Sequence, residues 1–144
     1  ADVVEARRAL LDQAGLEMRF ECLGPVRLSR ADGARLEQLV ENLLGNALRY
    51  TDAPGEVVVK LCAEKGWARI QCDDSPPGVS SAELPHLLER HFRAGSAASR
   101  RGGAGLGLAI CRNIAEAHGG QIAVAASPLG GLRVTVDLPM EAAA

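Results

Sequence analysis

The sequence has 144 residues, 47% hydrophobic but only 3% aromatic, with a formal net charge of −2. That length allows one ordinary domain with a core of Leu, Val, Ile and Ala, and the slight negative charge argues against nonspecific contact with nucleic acid or a membrane surface. No apolar run approaches the ~18–20 residues of a membrane span, the first residues carry no signal-peptide pattern, and the lack of a starting Met leads us to expect a piece of a longer protein.

Val3 to Ala14 reads as a short helix with Val4, Ala6, Leu10 and Leu11 on its apolar side. Leu16 to Leu23 follows as a strand in which Met18, Phe20 and Cys22 alternate with charged neighbours. A Gly24-Pro25 turn leads to a short extended piece, Val26 to Leu28. Asp32 then offers an N-cap for a helix running to about Tyr50. Leu36, Leu39, Val40, Leu43, Leu44 and Ala47 form its apolar stripe. Arg35, Gln38, Asn42, Asn46 and Arg49 form a second stripe, roughly 130° away by the helical period. An ordinary solvent face carries Glu and Lys; amides and arginines suit a metal and a polyphosphate.

Thr51 to Gly55 breaks the helix. Glu56 to Ala63 and Trp67 to Asp73 are expected to pair as a hairpin around Glu64-Lys65-Gly66. Ile70, Cys72 and Asp74 share a parity, so Asp74 is either a carboxylate on the core side or a turn residue beyond the strand's end. From Ser75 to Gly102 the pattern is irregular, with one short helix at about Ser81 to Arg90 and a small, basic loop after Arg93. A loop of that length within a domain is a functional lid or disordered. Leu106 to His118 is a helix ended by Gly119-Gly120. Strands Gln121 to Ser127 and Leu132 to Leu138 close the chain, joined by Pro128-Leu129-Gly130-Gly131 and stopped by Pro139. Cysteines 22, 62, 72 and 111 have no Cys-x-x-Cys spacing and read as buried small hydrophobes in a reducing compartment. The pattern is one α/β domain with a mixed sheet.

Gly103-Ala104-Gly105-Leu106-Gly107 stands directly before a helix, where backbone N–H groups and the helix dipole favour an anion. A Rossmann reading needs a strand before the glycines and an acid about 20 residues on. A basic loop stands there instead, and Gln121 to Thr135 has no acid. A P-loop would need Gly-Lys-Ser/Thr, which is absent.

The order of the remaining motifs resembles the catalytic ATP-binding domain of bacterial sensor histidine kinases, in the superfamily that includes DNA gyrase, Hsp90 and MutL. Leu-Glu-Gln-Leu-Val-Glu-Asn-Leu-Leu-Gly-Asn-Ala-Leu-Arg-Tyr-Thr, residues 36 to 51, resembles the asparagine box. Asp74-Ser-Pro-Pro-Gly78-Val79 is similar to the first glycine box, Asp-x-Gly-x-Gly-Ile, and Leu88-Glu-Arg-His-Phe-Arg93 to the phenylalanine box. Gly103-Ala-Gly-Leu-Gly-Leu-Ala-Ile110 matches the second glycine box, and His118-Gly-Gly-Gln-Ile with the closing Leu-Pro matches the tail. The Ser-Pro-Pro-Gly-Val and Ala-Ile-Cys-Arg-Asn-Ile-Ala-Glu-Ala-His segments look most like envelope-stress sensor kinases of the BaeS type.

That resemblance implies a two-layer α/β sandwich (the Bergerat ATP-binding fold), with about five mixed strands on about three helices and a flexible ATP lid at about 80–104. It implies that Asn46, assisted by Asn42, would ligate Mg²⁺, since an amide oxygen is a suitable hard ligand. Arg49 would meet phosphate and Tyr50 would stack on adenine. Asp74 would accept from the adenine N6 amine, where guanine presents a carbonyl. Gly78 and Val79 would lie along the base. Arg93, with Arg100 and Arg101 of the lid, would reach the outer phosphates. Gly103, Ala104, Gly105, Leu106, Gly107 and Leu108 would wrap the triphosphate, and Thr135 would add a water-mediated adenine contact.

Two positions depart from the family pattern. Pro76 replaces the usual first glycine, which stiffens the turn and removes a donor. His91 takes the usual Phe position. The resemblance also implies an acceptor histidine followed by Glu or Asp, with Pro nearby. His86, His91 and His118 are followed by Leu, Phe and Gly, so none fits. The expected chemistry is therefore ATP binding and γ-phosphoryl donation to a histidine on a separate dimerisation domain, for relay to a response regulator. Glu41 is either the group that polarises the incoming imidazole or an ordinary exposed glutamate. The expected setting is the cytosolic part of an inner-membrane sensor kinase, with no direct membrane contact from this piece. The alternatives are an ATPase of the gyrase, Hsp90 or MutL branch, an anti-sigma serine kinase, and a nucleotide-binding module without turnover. The ATPase branch would place its glutamate where Asn42 stands.

Overall fold

Alternation in the strands and a 3.6-residue period in the helices give the chain one apolar layer on each side of a shared core. The computed structural model describes residues 2–23, 30–64, 66–76, 82, 84 and 107–139. In chain order the elements are α1 (Asp2–Gln13), β1 (Leu16–Leu23), α2 (Arg30–Tyr50), β2 (Gly55–Glu64), β3 (Trp67–Asp74), α3 (Gly107–Ala117), β4 (Gln121–Ala126) and β5 (Leu132–Pro139). The extended piece at 26–28, the helix at 81–90 (apart from 82 and 84) and the lid to 104 lie outside the described residues.

The five strands form one sheet in the order β1-β2-β3-β5-β4. β1 and β2 are parallel, which requires a crossover, and α2 supplies it. The other neighbours are antiparallel, with Val57 opposite Asp74, Cys72 opposite Val134 and Val124 opposite Val134. The helices cover one face. Leu39, Leu43 and Leu44 of α2 meet Val57, Val59, Ile70, Val134 and Val136 of the sheet and Leu108, Cys111 and Ala115 of α3 in one buried cluster. This is the two-layer α/β arrangement that the sequence implies.

The opposite face is polar and is tied across strands by side chains. Arg69 donates from Nε and NH2 to both oxygens of Asp137, at 2.7 and 3.0 Å. Arg133 grips Asp73 in the same way, at 2.7 and 3.1 Å. Gln71 Nε2 donates to Thr135 Oγ1 at 3.3 Å. The single Trp, Trp67, stands at the start of β3, 39% exposed and opposite Glu64 and Pro139.

Two local expectations need correction, and the alternative left open at Asp74 closes in favour of the core side. Asp32 is not the N-cap, because α2 already begins at Arg30. Asp74 is no turn residue, since β3 includes it and its side chain is 2% exposed. Cys72 and Cys111 are buried as expected, but Cys62 is half-buried and Cys22, at the end of edge strand β1, is exposed. The Gly119-Gly120 helix stop is confirmed: Gly119, at φ 74°, lets Gly120 N–H donate to Ala115 O at 2.7 Å.

Candidate functional site

Consecutive residues of a strand point to opposite faces, so Asp73 and Asp74 divide between the two sides of the sheet. Asp73 belongs to the polar face, where Ser127 Oγ donates to it at 2.9 Å beside the Arg133 pair. Asp74 points into the helical layer. Leu132 N–H donates to its Oδ1 at 2.8 Å, and no hydrogen bond to Oδ2 occurs among the described residues. Burial pushes the Asp74 carboxyl up to about 7; the Leu132 N–H opposes that rise and the neighbouring Asp73 charge adds to it. Burial also pushes the nearby Cys72 thiol well above its usual range, helped by Asp74 and Asp73. Asp74 is thus a buried acceptor with one oxygen fixed by the backbone.

Gly131 makes that placement possible. Its N–H donates to Asp74 O at 3.0 Å. A methyl group added to it would overlap Asp74 Oδ1 and the backbone oxygens of Asp74 and Ser75. At the next turn Asp52 N–H donates to Pro76 O at 3.2 Å, and Ser75 Oγ accepts from Glu56 N–H at 2.9 Å. Pro76 therefore sits in a turn that uses its carbonyl and needs no N–H from it.

On α2, Asn46 is only 4% exposed, whereas Asn42 is half-buried and Glu41 exposed. The second stripe is therefore not a solvent face throughout. No side-chain hydrogen bond engages the Asn46 amide among the described residues. Arg49 and Tyr50 belong to the last turn of α2, and their side chains lie outside the described residues. Gly107 opens α3, and the Leu108 side chain, 4% exposed, packs in the core cluster. Gly78, Val79, Arg93, Gly103, Ala104, Gly105 and Leu106 lie outside the described residues.

Thr135 is not brought together with the others. The apolar parity of Leu132, Val134, Val136 and Leu138 turns it to the polar face, where it accepts from Gln71. Sequence reasoning missed Gly131, Leu132 N–H and Thr51. Thr51 is fully buried, and its Oγ1 has no hydrogen-bond partner among the described residues. Only the paired Gly130-Gly131 hinted at any of them, as a turn with one more glycine than it requires.

Among the described residues no group of three His, Cys, Asp or Glu side chains could hold a metal. The Asn46 side chain, only 4% exposed, fits a different donor set, one or two side-chain oxygens completed by phosphate and water, which suits Mg²⁺. A separate cavity of about 170 Å³ opens on the polar sheet face beside Arg19, Val58, Lys60 and Arg133, away from Asp74's carboxylate and from α2.

Comparison with known proteins agrees with this geometry. The family profile described as "Histidine kinase-, DNA gyrase B-, and HSP90-like ATPase" matches residues 31–142. The chain is 45% identical over 128 residues to the signal transduction histidine-protein kinase BaeS of Escherichia coli (strain K12). That match covers 88% of this chain and 27% of BaeS, so the chain spans about a quarter of that relative's length. Among solved structures, a mycobacterial sensor histidine kinase, MprB, superposes with a TM-score of 0.83 at 28% identity, covering 99% of this chain and 93% of the other. Full-length ShkA in complex with AMPPNP superposes with a TM-score of 0.79 at 28% identity, covering 99% of this chain and 30% of that one. A sheet order, a helical layer, a buried carboxylate at the end of β3 and a family match over most of the chain lead to one conclusion: this chain belongs to the histidine kinase-, DNA gyrase B- and HSP90-like ATPase family, as a catalytic ATP-binding domain of the sensor histidine kinase type.

Proposed function

We propose that this chain binds Mg-ATP and donates the γ-phosphoryl group to a histidine on a separate dimerisation domain, for relay to a response-regulator aspartate. The observation that carries the reading is Asp74: a buried carboxylate whose Oδ1 is held by Leu132 N–H and whose Oδ2 remains to accept an amine. Such an acceptor selects adenine, because guanine would set a carbonyl oxygen against it. Asn46, with Asn42 beside it, would hold Mg²⁺. The ion would neutralise the phosphates and fix them for in-line transfer, which is most of what phosphoryl transfer asks of a protein. Gly107, first residue of α3, ends the glycine ladder, so Gly103 to Gly107 would meet the triphosphate at a helix N-terminus. Arg49 and Arg93 would add charge to the phosphates, and Tyr50, Gly78 and Val79 would contact the base.

Glu41 lies exposed on α2, where an incoming acceptor imidazole would meet it. His118, just past the end of α3, is followed by Gly rather than by an acid, so it lacks the acceptor pattern. The isolated chain is therefore expected to bind ATP without phosphorylating itself. No helix among the described residues is long and apolar enough to cross a membrane; the proposed setting is the cytosolic part of an inner-membrane kinase. Calorimetric titration with ADP and ATP, with and without Mg²⁺, tests the reading on the chain itself and on Asn46→Ala and Asp74→Ala. Mg²⁺-dependent binding lost in both variants is expected, followed by label transfer from ATP to an added dimerisation domain of the parent kinase. No binding at millimolar nucleotide would refute it.

A further inference from the structure

Thr51 closes the last turn of α2, its N–H donating to Ala47 O at 3.0 Å. The next residue pins it to the end of β3, through Asp52 N–H to Pro76 O at 3.2 Å. Gly55 completes the junction: a side chain there would lie 2.8 Å from Ser75 Oγ and would overlap Asp52 O. The backbone that carries the hydroxyl is therefore fixed one residue from the hydrogen bond to Pro76, just past the end of β3. The hydroxyl is completely buried, and it is the single buried side-chain polar atom without a hydrogen-bond partner among the described residues.

Such a group costs the fold free energy, because its hydration is lost and nothing replaces it. Valine has the same shape without that cost. Threonine at this position is explained by a state in which the hydroxyl is engaged. We infer that Thr51 is a specificity-determining residue for the base, its Oγ1 taking a hydrogen bond when adenine, or a water molecule held with it, occupies the site beside Asp74. A hydroxyl suits the place because it donates to a carboxylate or ring nitrogen and accepts from an amine or water at the same time. The inference rests on the nucleotide-site reading and adds to it a residue whose role would be unrelated to metal or phosphate.

The test uses the whole chain with Thr51→Val and Thr51→Ser, titrated with Mg-ADP and Mg-GDP, alongside thermal unfolding without nucleotide. The valine variant is expected to melt at or above the parent temperature yet bind ADP about tenfold more weakly, with the preference for ADP over GDP reduced by the same factor. Serine is expected to restore both. Unchanged ADP affinity in the valine variant would overturn the inference, as would a lowered melting temperature or failure to fold, which would make the hydroxyl structural. If the parent chain binds no adenine nucleotide, the nucleotide-site reading falls and this inference with it; normal binding in the valine variant removes this inference alone.

Discussion

Asp74→Asn should make the protein more stable and less functional, with the gain depending on pH. Burial raises the Asp74 carboxyl from 3.8 to about 7 in the folded chain. The folded state therefore holds a proton that the unfolded state releases between those values, and stability falls as pH rises through that window and levels off above it. A shift of roughly three units at 1.36 kcal/mol each sets a ceiling of about 4 kcal/mol on the cost of the ionised group at alkaline pH. Asparagine has the same outline, keeps an oxygen for Leu132 N–H and does not titrate. Urea unfolding by circular dichroism should find Asp74→Asn more stable than the parent by about 2–4 kcal/mol at pH 8, with the gap closing by about 2–3 kcal/mol at pH 5. Other titrating groups are common to both proteins and cancel in the difference. Mg-ADP should stabilise the parent and leave the variant unmoved. A gap that stays constant within about 0.5 kcal/mol from pH 5 to 8 would refute the argument, since only a perturbed carboxyl makes it vary.

Asn46→Ala should abolish Mg²⁺-dependent nucleotide binding in a titration, while costing about 1 kcal/mol or less in urea unfolding, because no hydrogen bond to the amide is broken. Gly131→Ala should destabilise the fold by about 1–3 kcal/mol through overlap with Asp74 and Ser75, and should weaken ADP binding as Asp74 is displaced. Arg133→Ala leaves the buried Asp73 with only the Ser127 hydroxyl; with Arg133 about a third exposed, a loss of about 1–2 kcal/mol in thermal unfolding is expected, half or less of that for a fully buried pair. Asp137 is held below the usual carboxylate range by the hydrogen bonds from Arg69, against the opposing effect of burial. Its contribution is therefore present above pH 4 and disappears as pH falls below it, and Arg69→Ala should flatten the acid limb of the stability profile.

Period and parity made most of the fold legible. Leu39, Leu43 and Leu44 faced the core as their spacing required, and Ile70, Cys72 and Asp74 turned to one side because a strand has no alternative. Thr135 shows what happens when motif position overrides parity: the flanking Val134 and Val136 already assigned it to the other face. Asn46 marks the limit of a helical projection in another way. A helical projection treats the helix alone, whereas packing decides how far a flank is covered. Gly131, Leu132 N–H and Thr51 were not legible, because their roles depend on backbone contacts with Asp74, 57 and 58 positions away, or on the lack of a partner, and local sequence carries no record of either.

The position of Trp67 has a practical outcome. It is the only tryptophan, and seven residue steps along β3 separate it from Asp74, about 23 Å at the usual strand rise. Its emission belongs to the hairpin end of the sheet, where strand β5 also finishes. Intrinsic fluorescence will therefore follow loss of the sheet while staying indifferent to what fills the other end. Unfolding can be recorded at saturating nucleotide without a binding signal beneath it, and binding itself will need a probe placed by design.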